Sequence, residues 1–169
     1  MRKSLFALAA VAALFAGAAQ AESANYAIDP THTFVTFEIS HFGASVNRAR
    51  FDKKEGTIEF DRAAKTGKVD ISLDMTSVNS GTAAFDKHLQ SADIFNAAQF
   101  PKARFVSDKF VFNGDKVTEV SGQFTLLGKT QPLTLKASKF NCYDNPMLKR
   151  EVCGGDFEAT FDRTAHGLN

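Results

Sequence analysis

Seven stretches of this chain alternate apolar and polar residues with a period of two, and only one short stretch has helical spacing. That imbalance restricts the fold more than any other feature. Val35, Phe37 and Ile39 share one side, with Thr36, Glu38 and Ser40 on the other. Gly56, Ile58 and Phe60 oppose Thr57, Glu59 and Asp61, and Val69, Ile71, Leu73 and Met75 oppose Asp70, Ser72 and Asp74. Residues 120–126, 133–138 and 157–162 repeat the pattern. Residues 103–112 do so with a slip of parity near Asp108, where a β-bulge is expected. Such alternation marks strands with one dry face. The links Ala64-Lys65-Thr66-Gly67, Asn113-Gly114-Asp115 and Gly128-Lys129-Thr130-Gln131 are turn-like and short enough for antiparallel hairpins. The helical candidate, Thr82 to Ser91, places Phe85 and Leu89 on one face. One short helix cannot cover seven one-sided strands, so the sheet must close as a barrel or fold into a sandwich.

The interior of that sheet is dry. The chain has seventeen phenylalanines, two tyrosines and no tryptophan. Phenylalanine brings a large apolar area without a polar handle. Composition leaves open whether these rings pack solidly or line a cavity for an apolar ligand.

The first residues read as a secretory leader: Arg2 and Lys3, an uncharged apolar run from Ser4 to Gly17, and Ala19-Gln20-Ala21 as a cleavage site. The apolar run is shorter than the roughly 20 residues a membrane span requires. The expected domains are therefore a cleaved signal peptide over 1–21 and one domain over 22–169, placed in the periplasm. Without Arg2 and Lys3 the formal charge moves from +1 to about −1, and no basic stripe points to nucleic acid. Cys142 and Cys153 are the two cysteines, and in an oxidising compartment they should pair. The residues between them begin Tyr143-Asp144-Asn145-Pro146-Met147, so the bridge is expected to staple a loop. Gly154-Gly155 reads as a turn.

Chemistry is harder to find. His32, His41, His88 and His166 show no i, i+2 or i, i+4 pairing, which argues for polar caps over a metal site. There is no G-x-S-x-G elbow and no phosphate-cradling glycine loop. The segment from Asp86 to Phe105 fits neither a long helix nor a strand. A helix followed by a phenylalanine-rich loop between two strands suits either a lid over an open end or a plug filling it.

The chain resembles the YceI-like family of secreted bacterial proteins. The resemblance is carried by Tyr26-Ala27-Ile28-Asp29-Pro30-Thr31-His32-Thr33 with His41-Phe42-Gly43, and by His88-Leu89-x-Ser91-x-Asp93-x-Phe95 followed by Phe100-Pro101 and Phe105. Val120-x-Gly122-x-Phe124-Thr125-Leu126, Pro132-Leu133-Thr134-Leu135 and Asn145-Pro146-Met147 through Glu151-x-Cys153-Gly154 extend it across the mature chain. It implies an all-β fold, an extended eight-stranded antiparallel lipocalin-like barrel with one short helix. The implied activity is non-covalent binding of an isoprenoid lipid, a polyprenyl or quinone chain, with no catalytic cofactor and no metal. Strands of about ten residues give an interior roughly 30 Å long, and eight strands enclose room for one small ligand. Family members continue past Asp162-Arg163-Thr164 into a further strand, so this chain, stopping at Asn169, is expected to lack its last strand and to leave an edge between the first and last.

Strand parity then selects a lining of Phe37, Ile39, Ile71, Leu73, Met75, Phe105, Phe124, Leu126, Leu133, Leu135 and Phe161, with Phe85, Leu89 and Phe95 closing one end. His32, Ser40 and His41 are weak candidates for headgroup contacts. The expected partners are the lipid, a membrane surface in transient contact, and a second copy of the chain through the open edge. The alternatives are a haem or metal carrier, an enzyme using the histidines, or a barrel packed solid.

Overall fold

The computed structural model describes residues 23–168. The expected leader and its cleavage site lie outside the described residues. In chain order the strands are β1 (Ala24–Ala27), β2 (Val35–His41), β3 (Ser45–Phe51), β4 (Lys54–Asp61), β5 (Thr66–Asp74) and β6 (Val78–Asn79). Helix α1 (Ala83–Gln90) follows, then β7 (Lys102–Asn113), β8 (Lys116–Leu126), β9 (Lys129–Asn145) and β10 (Arg150–Glu158). Two 3-10 turns cover Met75–Ser77 and Arg163–His166.

The fold is the expected antiparallel, strongly curled, barrel-like sheet with one helix, but it is an open half-barrel. Seven strands pair in the order β1-β4-β5-β7-β8-β9-β10, and β2-β3-β6 form a second sheet. The expected eight-strand count changes because two long segments are bent. Between β1 and β2, the Asp29 carboxylate accepts from the Thr31 amide (2.8 Å) and hydroxyl (2.6 Å), and Pro30 has no amide to pair. Between β3 and β4, the Asp52 amide donates to the Ser77 carbonyl (3.0 Å) and the Lys53 amide to Ser77 Oγ (2.9 Å). Both bends turn the first hairpin out of the main sheet. The expected bulge is present as a register shift between Val106 and Lys109.

The last hairpin differs from expectation. Cys142 and Cys153 form the disulfide, but they stand directly opposite each other on β9 and β10 with Cα atoms 4.0 Å apart, so the bridge clasps a ladder and not a loop. The turn lies further out, over 146–149. Gly154 and Gly155 are strand residues, paired with Asn141 and Phe140. A side chain at Gly155 would meet the Lys139 carbonyl at 2.4 Å, which explains glycine there. The alternation of 157–162 does not continue as a strand, because β10 ends at Glu158.

Two apolar clusters fill the curl. At the helix end, Phe51, Leu73, Met75, Leu89, Phe95 and Leu126 are buried together. At the opposite end, the base, Phe60, Val69, Phe105, Val117 and Val120 are buried with Phe110, Phe112 and Phe140 packed against them. Ile71 and Phe124 touch both clusters and form a waist.

The segment after α1 is a plug. The Phe95 amide donates to the Leu89 carbonyl and the Ala97 amide to the Gln90 carbonyl, both at 3.0 Å, folding the chain back on the helix. The Phe95 ring then sits edge-on to Phe37 (5.6 Å) and beside Phe51 (5.9 Å).

Candidate functional site

The candidate site is the inner face of the curled sheet. Antiparallel register builds it in cross-strand rows. One row runs from Gly56 through Ile71, Phe105 and Phe124 to Gln131. A neighbouring row carries Gly122 opposite Leu133, and Val120 stands opposite Leu135. A side chain at Gly122 would meet the Val106 carbonyl at 2.2 Å and the Phe105 ring at 2.9 Å, so glycine gives that ring its floor.

Burial divides the residues expected to line this face. Leu73, Met75, Leu89, Phe95 and Leu126 are buried in the helix-end cluster, with Phe37 and Phe85 packed against it. Met75 is 2% exposed and belongs to a 3-10 turn, because the Asp74 carboxylate captures the Thr76 amide (2.9 Å) and ends β5. Phe105 is buried in the basal cluster. Ile71, Phe124, Leu133 and Leu135 are only half-buried although they lie on the inner face. Ile39 is half-buried on β2, and Phe161 is 43% exposed and lies beyond β10.

His166, read from the sequence as a polar cap, is instead buried in the structure. It is 2% exposed, its Nδ1 is 3.1 Å from the Lys129 carbonyl, and its ring lies between Phe124 and Phe161, both at 5.4 Å. With buried Leu168, it packs the C-terminal 3-10 turn against the helix-end cluster. A single histidine gives no pattern from which this could be read. Ile58 and Phe140 were also left out of the lining, although Ile58 shares the parity of Phe60.

The headgroup candidates are not gathered at one mouth. His32 lies in the β1–β2 bend, 84% exposed, with Nδ1 2.7 Å from Asp29 Oδ2. The Thr31 hydroxyl and then His32 hold the Asp29 carboxyl well below the usual carboxylate range. His41 is exposed at the end of β2, edge-on to Phe42 at 4.8 Å. Ser40 Oγ accepts from the Gly43 amide at 3.3 Å. Among the described residues, the single cluster of three metal-ligating side chains is Cys142, Glu151 and Cys153, and both cysteines are in the disulfide.

The edges of the main sheet, β1 and β10, do not pair through their backbones, and side chains bridge them at the base. The Tyr26 hydroxyl donates to Glu151 Oε1 and Arg62 Nη2 donates to Glu151 Oε2, both at 2.6 Å. Burial, followed by the hydrogen bond to Glu151, pushes the Tyr26 phenol up to about 12. The folded state thus holds this proton more tightly than the unfolded state. Its contribution to stability is complete below the ordinary phenol pKa near 10 and is lost as pH rises through about 12. In an ultraviolet titration of tyrosinate, we expect a step near pH 12 in the folded protein that is absent from Tyr26→Phe. Full ionisation of both tyrosines by pH 11 in folded protein would show that the bridge does not form.

Two open grooves mark the outside. One of about 440 Å³ lies beside Asp52, Ser77, Asn79 and Asp86. The other, about 790 Å³, runs over the bulge past Glu59, Lys68, Asp70, Lys109 and Gln123. The first is lined largely by polar side chains, and the second mixes Val106 and Pro132 with charged and polar ones.

Comparison with known proteins gives a consistent pattern. The YceI-like domain family matches residues 26–169. A UPF0312 protein of Pseudomonas savastanoi pv. phaseolicola is 40% identical over 82% of this chain and 73% of its own. Protein YceI of Escherichia coli O157:H7 is 38% identical over 86% of this chain and 77% of its own. The crystal structure of the Campylobacter jejuni YceI protein superposes with a TM-score of 0.65 at 25% identity, covering 84% of this chain and 83% of that one.

Proposed function

The chain belongs to the YceI-like domain family, and on that premise we propose that it is a non-catalytic binding protein for an isoprenoid lipid of the polyprenyl or quinone kind. The observation that carries this reading is the waist. Ile71, Phe124, Leu133 and Leu135 face inward from adjacent or near-adjacent strands, yet remain half-buried. An inner face that is apolar and incompletely covered favours an apolar guest. Each methylene transferred to it from water gains about 0.8 kcal/mol, so a chain of several isoprene units could be held without any polar anchor. The polar end would remain at the solvent side, since His32, Ser40 and His41 do not converge on the interior. The proposed place of this activity is the periplasm, a reading supported by the leader expected over 1–21.

The test is extraction of lipid from protein purified out of the producing cells, followed by mass spectrometry. A stoichiometric prenyl lipid is expected. Protein that is consistently empty, and that leaves added polyprenyl lipid unbound, would remove the proposal.

A further inference from the structure

The β9–β10 hairpin overruns its neighbour. Lys136 on β9 pairs with Glu119, near the start of β8 at Lys116, and β9 then continues to Asn145. The excess is about six residues, or roughly 20 Å of strand. The hairpin leans across the base of the half-barrel, where Phe140 meets Phe60 at 5.6 Å and Glu151 holds Tyr26 and Arg62. Its turn projects beyond these contacts.

The turn is built, and it presents apolar side chains to water. Asn145 Oδ1 accepts from the Met147 amide (2.9 Å) and the Leu148 amide (3.0 Å), and the Asn145 carbonyl accepts from the Lys149 amide (2.8 Å). Lys149 takes a left-handed φ of 51° to complete it. In this fixed frame Met147 is 89% exposed and Leu148 58%, with Tyr143 half exposed on the strand below. Scattered exposed apolar residues are ordinary, but adjacent ones held outward by a hydrogen-bonded turn point to an interaction surface. Lys149 and Arg150 follow immediately, and among the described residues neither is paired with a carboxylate. Antiparallel order brings Lys65, in the β4–β5 turn, and Lys116, at the start of β8, to the same end of the sheet. The acidic residues at this end are Asp61, which caps the β4–β5 turn through the Ala64 amide (2.8 Å), Asp115 in the β7–β8 turn, and Asp144 and Glu151, which stand opposite each other on the hairpin; Glu151 is already paired with Arg62.

We propose that the β9–β10 turn docks the protein on an anionic lipid bilayer, with Met147 and Leu148 entering the interfacial region and Lys149 and Arg150 facing lipid phosphates. Apolar side chains set among cations match a surface that is anionic outside and apolar beneath. A protein partner would need to be both acidic and apolar at one point, whereas a bilayer supplies both properties everywhere. The proposal is independent of what the interior holds.

The test is flotation of the purified chain with vesicles of phosphatidylethanolamine and phosphatidylglycerol, alongside vesicles of neutral phosphatidylcholine. Binding to the anionic vesicles is expected, at least tenfold weaker on the neutral ones and weakened again by added salt. Met147→Ser/Leu148→Ser and Lys149→Glu/Arg150→Glu should each lower the bound fraction at least tenfold while thermal unfolding stays unchanged. The chain has no tryptophan, so Leu148→Trp supplies a single reporter whose emission should shift to the blue on anionic vesicles. Equal binding by the tip variants, or an unshifted tryptophan, would overturn the proposal. So would sedimentation showing that the same residues drive pairing of two copies in place of vesicle binding.

Discussion

Phe60→Ala should cost about 3–5 kcal/mol, a large share of the 5–15 kcal/mol by which a domain of this size is stable. Phe60 is 6% exposed. Its ring lies edge-on to Tyr26 (6.2 Å) and Phe140 (5.6 Å), stacks on Phe112 (5.8 Å), and stands 6.5 Å from Phe110. These partners come from β1, β7 and β9, so truncation opens a cavity where the first, middle and last parts of the sheet meet. Walls drawn from three separate strands cannot collapse together, which puts the cost at the upper end of the range for large-to-small changes. Denaturant titration would measure it. Phe34→Ala is the control, since Phe34 is 62% exposed and, among the described residues, its one aromatic interaction is with the Lys54 ammonium, 5.7 Å from the ring centre. It should cost under about 1 kcal/mol. Equal, small effects at both positions would show that the base is not packed.

Ile71→Arg is expected to empty the interior. Ile71 touches both apolar clusters and is half-buried, so an arginine there places a guanidinium on the path an apolar chain would follow. Stripping water from that charge without a partner costs several kcal/mol, more than a few methylenes return. Copurified lipid should fall at least tenfold while the protein remains folded, because the half-buried position lets the long side chain reach solvent. The same substitution at Leu73 would be less informative: Leu73 is 8% exposed inside the helix-end cluster, and a charge there attacks the fold itself. Thr57→Arg is the matched control. Thr57 is exposed, on the face opposite Ile58, and should retain its lipid. Full loading of Ile71→Arg would remove the inner face from consideration.

How far these features were legible in the chain depended on whether one face of a strand is buried. From Val69 to Leu73 it is, and the parity of the sequence survives intact in β5. The pattern misled at Met75 because apolar spacing continues where the backbone does not: Asp74 closes a 3-10 turn, a local hydrogen bond that periodicity cannot register. β3 escaped notice for the opposite reason. Its sequence Ser-Val-Asn-Arg-Ala-Arg-Phe gives Val46 to the exposed side and Asn47 to the half-buried one. The length of β9 was hidden because its outer half packs against the base through Phe140 and Cys142, next to a register shift opposite Phe157. The disulfide pairing was readable from two cysteines alone, whereas its cross-strand setting required the register. The plug over one end was foreseen as a segment, and its choice between lid and filler rested on Phe95 and Ala97 being buried, a tertiary fact.

The bridge from Tyr26 to Glu151 joins residues 125 positions apart, and this orders assembly in time. The pairs β4–β5, β7–β8, β8–β9 and β9–β10 are neighbours along the chain and can zip as soon as their turns form. Closing the base must wait until nearly the whole chain exists, and it bears the entropy of a long loop. Until then the rings around Phe60 are uncovered. The lifetime of the unlatched chain then sets how long the apolar base is exposed to aggregation.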